Sequence, residues 1–244
     1  MLPGWLSALA LAAGLVLPPR APAPAQPLPS LPVLSRVRVD VARDHVVVTT
    51  DLRFSRGEYR TGDVAFYVAF GVPGAPQAAE AQLVSQPTDV LEVPDGAPAE
   101  PLRLERASSR PPNVQPALGR GHVAGLVVRV PGAAFARATD GGRWGFVRIR
   151  TLQPMPVPDA TGARDMIIRL GDALGQPVTL ASVEVAPAAA LGAKLPRVEA
   201  SLCSPKSESR LLSLRGQPLP VGSVAPSLAL RLPGDDLCVR FALP

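Results

Sequence analysis

Apolar residues in this chain return at every second position, and that period admits few folds. Val37, Val39 and Val41 alternate with Arg36, Arg38 and Asp40. Successive side chains of a strand point to opposite faces, so the alternation describes a strand with one face in a core and the other in water. Ala42-Arg43-Asp44 makes a turn. Beyond it Val46, Val48, Leu52 and Phe54 share one face, and His45, Thr49, Asp51 and Arg53 share the other. After a Gly- and Asp-bearing loop at 56–63, the run from Val64 to Phe70 is apolar on both faces. Such a strand sits centrally and is covered on two sides.

Further strands are expected at 79–84, 89–93, 101–106, 122–130 and 145–152, with one helical turn over Ala133 to Ala138 closed by Asp140-Gly141-Gly142. More follow near 164–171, 177–185, 196–203, 209–215, 227–232 and 236–243. Short strands with frequent turn signals indicate antiparallel β-sandwiches. Proline supplies 30 of the 244 residues, which excludes sustained heptads and a coiled coil. Pro154, Pro156 and Pro158 make 153–161 the best linker in the chain. The expectation is two consecutive Ig-like sandwich domains, 33–152 and 162–244, with one short helix. The alternative is a single large β-sandwich. Gly62-Asp63 through Phe70 resembles the Gly-Asp-then-strand pattern of bacterial Ig-like surface modules, a likeness of pattern and not of motif.

The first 25 residues read as a signal peptide. Trp5 to Leu17 is an apolar run of 13 residues, too short for the ~20 that a transmembrane helix needs. Ala23-Pro24-Ala25 before Gln26 forms a small-x-small cleavage site, although Met1 to Gly4 holds no Lys or Arg. The segment 26–32 is then a Pro-rich extended tether. No transmembrane anchor is expected, and the compartment is the periplasm or the exterior. Cys203 and Cys238 are the two cysteines of the chain, and an exported chain with an even count favours a disulfide. Val198, Ala200 and Leu202 share one strand face, and Leu237, Val239 and Phe241 share another. Both cysteines therefore emerge away from the core, on the same side if the strands are neighbours. Closing this loop stabilises by roughly 3–4 kcal/mol in the chain-entropy model. His45 and His122 are distant in sequence from both cysteines, so no zinc ligand set with short paired spacing is present.

Catalytic motifs are missing. The chain has no Gly-x-Ser-x-Gly elbow, His-Glu-x-x-His, Walker A loop or EF-hand loop. Gly119 to Gly125 misses the dinucleotide fingerprint by one residue and lacks a βαβ context. His45 beside Asp44 reads as an exposed turn histidine, and Asp235-Asp236 as a turn into the last strand. Arg143 beside Trp144 offers a cation–π platform.

Charge is distributed unevenly. Residues 51–100 hold three arginines against eight carboxylates, a net of −5; residues 101–150 hold nine arginines against two, a net of +7. Arg148 and Arg150 share a strand face opposite Val147 and Ile149. With Arg143 and Arg129 they are the candidate anion-binding residues, because guanidinium forks suit carboxylate and phosphate. The competing account is that the basic segment folds against the acidic one and the charges pair across strands. Aromatic interleaving is missing, so nucleic acid is not an expected partner. The sequence points to an exported, non-enzymatic β-sandwich protein of the bacterial envelope or exterior, structural or binding. An anionic polysaccharide or protein is its expected partner, with no cofactor and no metal. The alternative is an envelope hydrolase with scattered active-site residues.

Overall fold

A computed structural model describes residues 33–54, 62–87, 93–119, 121–170, 178–192, 195, 198–203, 224–231 and 236–244. The signal peptide, the tether, most of the 56–63 loop, the strand expected at 209–215 and all but Val93 of the one at 89–93 lie outside the described residues.

The described elements are β1 (Val33–Val41), β2 (His45–Phe54), β3 (Val64–Ala69), β4 (Ala78–Pro87), β5 (Ala99–Pro101), β6 (Arg103–Ala107), β7 (Gln115–Leu118), β8 (Gly125–Val130), α1 (Gly132–Thr139), β9 (Arg143–Pro154), β10 (Ala163–Ile168), β11 (Val178–Pro187), β12 (Val198–Leu202), β13 (Val224–Arg231) and β14 (Leu237–Ala242). They build three sheets. The largest has seven strands in the order β13-β11-β1-β2-β9-β4-β5. A four-stranded sheet runs β6-β8-β3-β7, and a three-stranded sheet runs β10-β14-β12.

The expected alternation decides which face is inward. Val37, Val39 and Val41 of β1 lie opposite Thr50, Val48 and Val46 of β2, and the three β1 valines are fully buried. Their apolar cluster continues through Ile149 of β9, Phe66 and Val128 of the four-stranded sheet, and Val239 and Phe241 of the three-stranded sheet. One end is closed by aromatic rings: Phe54 lies 4.8 Å from Phe66 and meets Phe135 of α1 edge-on at 5.6 Å. β3 is central and covered twice, as its sequence implied. Phe66 enters the main core, while Tyr67 and Ala69 pack with Val114 and Val127 in a second cluster.

One expectation needs correction. The sheets are not purely antiparallel, because β1 pairs β11 in parallel and β3 pairs β7 in parallel. Strands from either side of 153–161 share a sheet and an apolar cluster. β11 pairs with β1, and one apolar cluster contains Val37 and Val183, Phe66 and Phe241. The segment 153–161 links β9 of the large sheet to β10 of the three-stranded sheet, and it is pinned. Asp159 accepts hydrogen bonds from the Thr161 hydroxyl at 2.7 Å, the Thr161 N–H at 2.8 Å and the Ala163 N–H at 3.0 Å. Arg240 of β14 also donates to Asp159.

The two smaller sheets meet where Val72 exchanges backbone hydrogen bonds with Ile167, at 2.8 and 3.2 Å. A Cβ on Gly71 would lie 1.9 Å from the Ile167 carbonyl oxygen, so this joint requires glycine. β5 and β6 likewise form a corner. Leu102 between them donates to Ala81 of β4 at 2.8 Å, and the chain passes from the large sheet to the four-stranded one.

Cys203 and Cys238 form a disulfide with their Cα atoms 5.0 Å apart. β12 and β14 are antiparallel neighbours, with Ser201 opposite Cys238. Val198, Ala200, Leu237, Val239 and Phe241 are buried on the common inward face, while both cysteines are half-buried. Between the two cysteines the chain leaves the three-stranded sheet, forms β13 at the edge of the large sheet, and returns as β14. The bridge ties that excursion at its base.

Candidate functional site

The candidate arginines Arg148 and Arg150 stand on the outward face of β9, and the strand register decides their neighbours. Arg148 lies opposite Asp51 of β2 on one side and Gln82 of β4 on the other. Arg150 lies opposite Thr49 and Glu80 in the same way. Beyond β2, Arg36 lies opposite Asp51 and Arg38 opposite Thr49, and β11 brings Glu184 opposite Arg38. The outer face of the large sheet thus carries two adjacent polar rungs.

Arg148 is locked. Its Nε and Nη2 donate to the two Asp51 carboxylate oxygens at 2.8 and 3.0 Å. Nη2 also donates to the Val93 carbonyl at 2.7 Å, and Nη1 to that of Pro94 at 3.4 Å. Asp51 is fully buried although it belongs to the outward face. The cover is the connection leading into β5. Val93 packs on outward-facing Phe146 and Val84, and all three are buried. Gly96 turns this connection with φ +79°. The Asp51 hydrogen bonds raise the Arg148 guanidinium above its ordinary value, so it stays charged.

Arg150 is not locked. Among the described residues its nearest carboxylate oxygen, on Glu80, is 3.7 Å away, beyond hydrogen-bond reach. Both side chains are more than half exposed, at 57% and 56%. Arg38 is held at 3.0 Å by Asp40 and at 3.0 Å by Asp95, while Arg36 donates to Glu184 at 2.7 Å. An open groove of ≈ 450 Å³ runs between the rungs and the covering connection. Arg38, Arg148, Arg150, Asp40, Glu80 and Asp95 supply its charges, and Thr49 and Gln82 add neutral polar groups.

The other two candidate arginines lie apart from these. Arg143, at the start of β9, donates to the Ser85 hydroxyl at 2.6 Å and the Ser85 carbonyl at 3.0 Å. Arg129 belongs to β8 of the four-stranded sheet and pairs with Glu105 of β6 at 3.2 Å. Arg137 of α1 pairs with Glu100 of β5 at 3.1 Å. Within the basic segment, Arg137 and Arg148 thus pair with carboxylates of the acidic segment, whereas Arg129 pairs with a carboxylate of its own segment and Arg143 bonds to a serine. The ring of Trp144 is covered by Arg53, 4.9 Å from its centroid, and not by Arg143. Adjacent residues of a strand point to opposite faces, whereas Arg53 of β2 and Trp144 of β9 share one.

His45 Nδ1 lies 2.7 Å from the Asp44 carboxylate at the β1–β2 turn, and that hydrogen bond lowers the Asp44 pKa. Among the described residues no group of three His, Cys, Asp or Glu side chains could hold a metal, and His122 is exposed on another loop. Asp236 does shape the entry to the last strand. It accepts from Arg169 at 2.6 Å and from the Leu170 N–H at 3.0 Å. Among the described residues no helix is long and apolar enough to cross a membrane. No protein-family model matches the chain, and no curated protein matches it.

Sequence reasoning found Arg148 and Arg150 and their common face. It missed Asp51 as the partner of Arg148 and the chain that covers both. Asp51 carried a weak signal: it is a carboxylate on the polar face of β2, an obvious cross-strand partner once β2 is set against β9.

Proposed function

We propose that the protein is an exported, non-catalytic, two-layer β-sandwich of the bacterial envelope or exterior, which acts by binding an anionic partner on the outer face of its large sheet. The observation that carries the reading is Arg150. It is a guanidinium presented on a strand, beside a groove, with no hydrogen-bonded carboxylate among the described residues. A bidentate donor in that state is suited to an external carboxylate. The disulfide supports the compartment, since such bonds persist where the surroundings are oxidising. The first 25 residues supply the export signal, with cleavage before Gln26.

The test is retention of the mature protein on an anionic polysaccharide column. Retention falls as salt rises through the range where the Debye length drops below ~10 Å. Arg150→Ala elutes earlier than the parent protein, with an unchanged circular dichroism spectrum. Equal elution of the two proteins contradicts the reading, as does a mature form that begins at Met1.

A further inference from the structure

Three guanidinium groups and three carboxylates line the groove, so its lining is neutral as a whole. Two of the guanidiniums are consumed within the protein: Arg148 by Asp51 and Arg38 by Asp40 and Asp95. Only Arg150 has its fork open. A group carrying two negative charges, as a phosphate does, would meet one open guanidinium with Glu80 beside it. A sugar unit that brings a single negative charge and several hydroxyls to this groove fits the same lining. Its carboxylate takes the Arg150 fork, and its hydroxyls donate to the three carboxylates and exchange hydrogen bonds with Thr49 and Gln82.

A second groove adjoins the first. It has a volume of ≈ 350 Å³ and is lined by His45, Val47, Ala78, Ala79, Glu80, Arg150 and Leu152. Arg150 and Glu80 border both grooves. Val47, Leu152 and Ala78 lie in register across three strands, so the second groove has an apolar floor. A charged, hydroxylated unit over the first groove and an apolar ring face over the second describe two consecutive units of an acidic sugar chain. Each groove lies within the ~300–1,000 Å³ span of small-ligand sites.

We propose that the paired grooves bind an oligosaccharide containing uronic acid, with one uronate carboxylate on Arg150 and the next ring on Val47 and Leu152. The inference rests on the reading of the protein as an anion binder and names the ligand class for that site. A phosphate-bearing ligand is disfavoured, because its two charges on one group would meet a single open guanidinium beside Glu80.

Calorimetric titration of the mature protein with trigalacturonate, maltotriose and inorganic phosphate tests this. Trigalacturonate binds at least tenfold more tightly than maltotriose, and phosphate does not compete. Arg150→Ala weakens trigalacturonate binding at least tenfold. Leu152→Asp weakens it several-fold. Arg103→Ala, an exposed arginine on the other layer, changes it less than twofold. Equal losses from Arg103→Ala and Arg150→Ala would overturn the groove while leaving a general attraction to anions. Absence of trigalacturonate binding, with retention on an anionic column preserved, would overturn the ligand class and spare the wider reading. No binding to any anion defeats both.

Discussion

Arg148 and Arg150 are two residues apart on one face of one strand, yet they belong to different kinds of surface. At Arg148 the connection into β5 lies across the sheet, Asp51 is fully buried, and both of its carboxylate oxygens are engaged. At Arg150 the side chain is more than half exposed, the nearest carboxylate among the described residues is 3.7 Å away, and that partner also faces solvent. The residue type and the strand are the same. What differs is whether another piece of chain covers the rung. A charge on a sheet face becomes part of the structure when it is covered, and remains available to a partner when it is not.

The strongest way to break this contrast is to remove Asp51. Asp51→Ala leaves Arg148 buried, charged and held only by carbonyls, which costs about 3–5 kcal/mol. Asp51→Leu with Arg148→Met should recover most of that loss, since an apolar pair of similar volume is often neutral. Urea unfolding of the three proteins measures both. An Asp51→Ala cost under ~1 kcal/mol would place the pair among exposed ones and dissolve the distinction.

A control comes from outside the large sheet. Replacing Cys203 and Cys238 by alanine should cost about 3–4 kcal/mol in the chain-entropy model. It should leave ligand retention by Arg150 intact once the variant is folded. If the Asp51→Ala and cysteine losses add, the covered rung and the tied excursion are independent supports; a strong departure from additivity would show that they act as one.

The inward half of this architecture could be read from the sequence, and the outward half only partly. Val37, Val39, Val41, Leu237, Val239 and Phe241 declare their core faces by alternation alone, and the disulfide followed from the faces left over. β7 was missed because Pro116 cannot donate to a ladder, yet β7 is an edge strand, where proline is tolerated. The sheet partners were not legible. β1 meets β11 about 150 residues later, and no local pattern encodes that pairing. Pro154, Pro156 and Pro158 mark 153–161 as a linker, and composition does not reveal that Asp159 and Arg240 fasten it. The site was visible as two arginines. The difference between them was invisible, since it depends on Val93 and Pro94 arriving from another part of the chain.

Asp159 sharpens the comparison, because it is exposed and nevertheless held. Hydrogen bonds from the Thr161 hydroxyl, then from backbone N–H groups and Arg240, keep its carboxyl well below the usual carboxylate range. The unfolded chain therefore takes up this proton first as pH falls. The contribution to stability is complete above the unfolded value near ~4 and is lost as pH drops toward the folded value. Asp159→Asn should lower the melting temperature at neutral pH, and its curve should converge on that of the parent protein below about pH 4. Parallel curves down to pH 2 would mean that these hydrogen bonds do not distinguish the ionised form.

The smallest expected effect bears most directly on Arg150. An exposed ion pair without a hydrogen bond gains little Coulomb energy in water and costs side-chain freedom, so coupling between Arg150 and Glu80 should not exceed about 0.5 kcal/mol. A double-mutant cycle with Arg150→Ala and Glu80→Ala, read by urea unfolding at low salt, measures it. The coupling should vanish in 1 M salt, where the Debye length is ~3 Å. Glu80→Ala should also leave Arg150 with less competition, so trigalacturonate binding should strengthen or hold steady. A coupling above ~1.5 kcal/mol that survives salt would show Arg150 to be engaged much as Arg148 is, and would remove the free guanidinium on which the binding face depends.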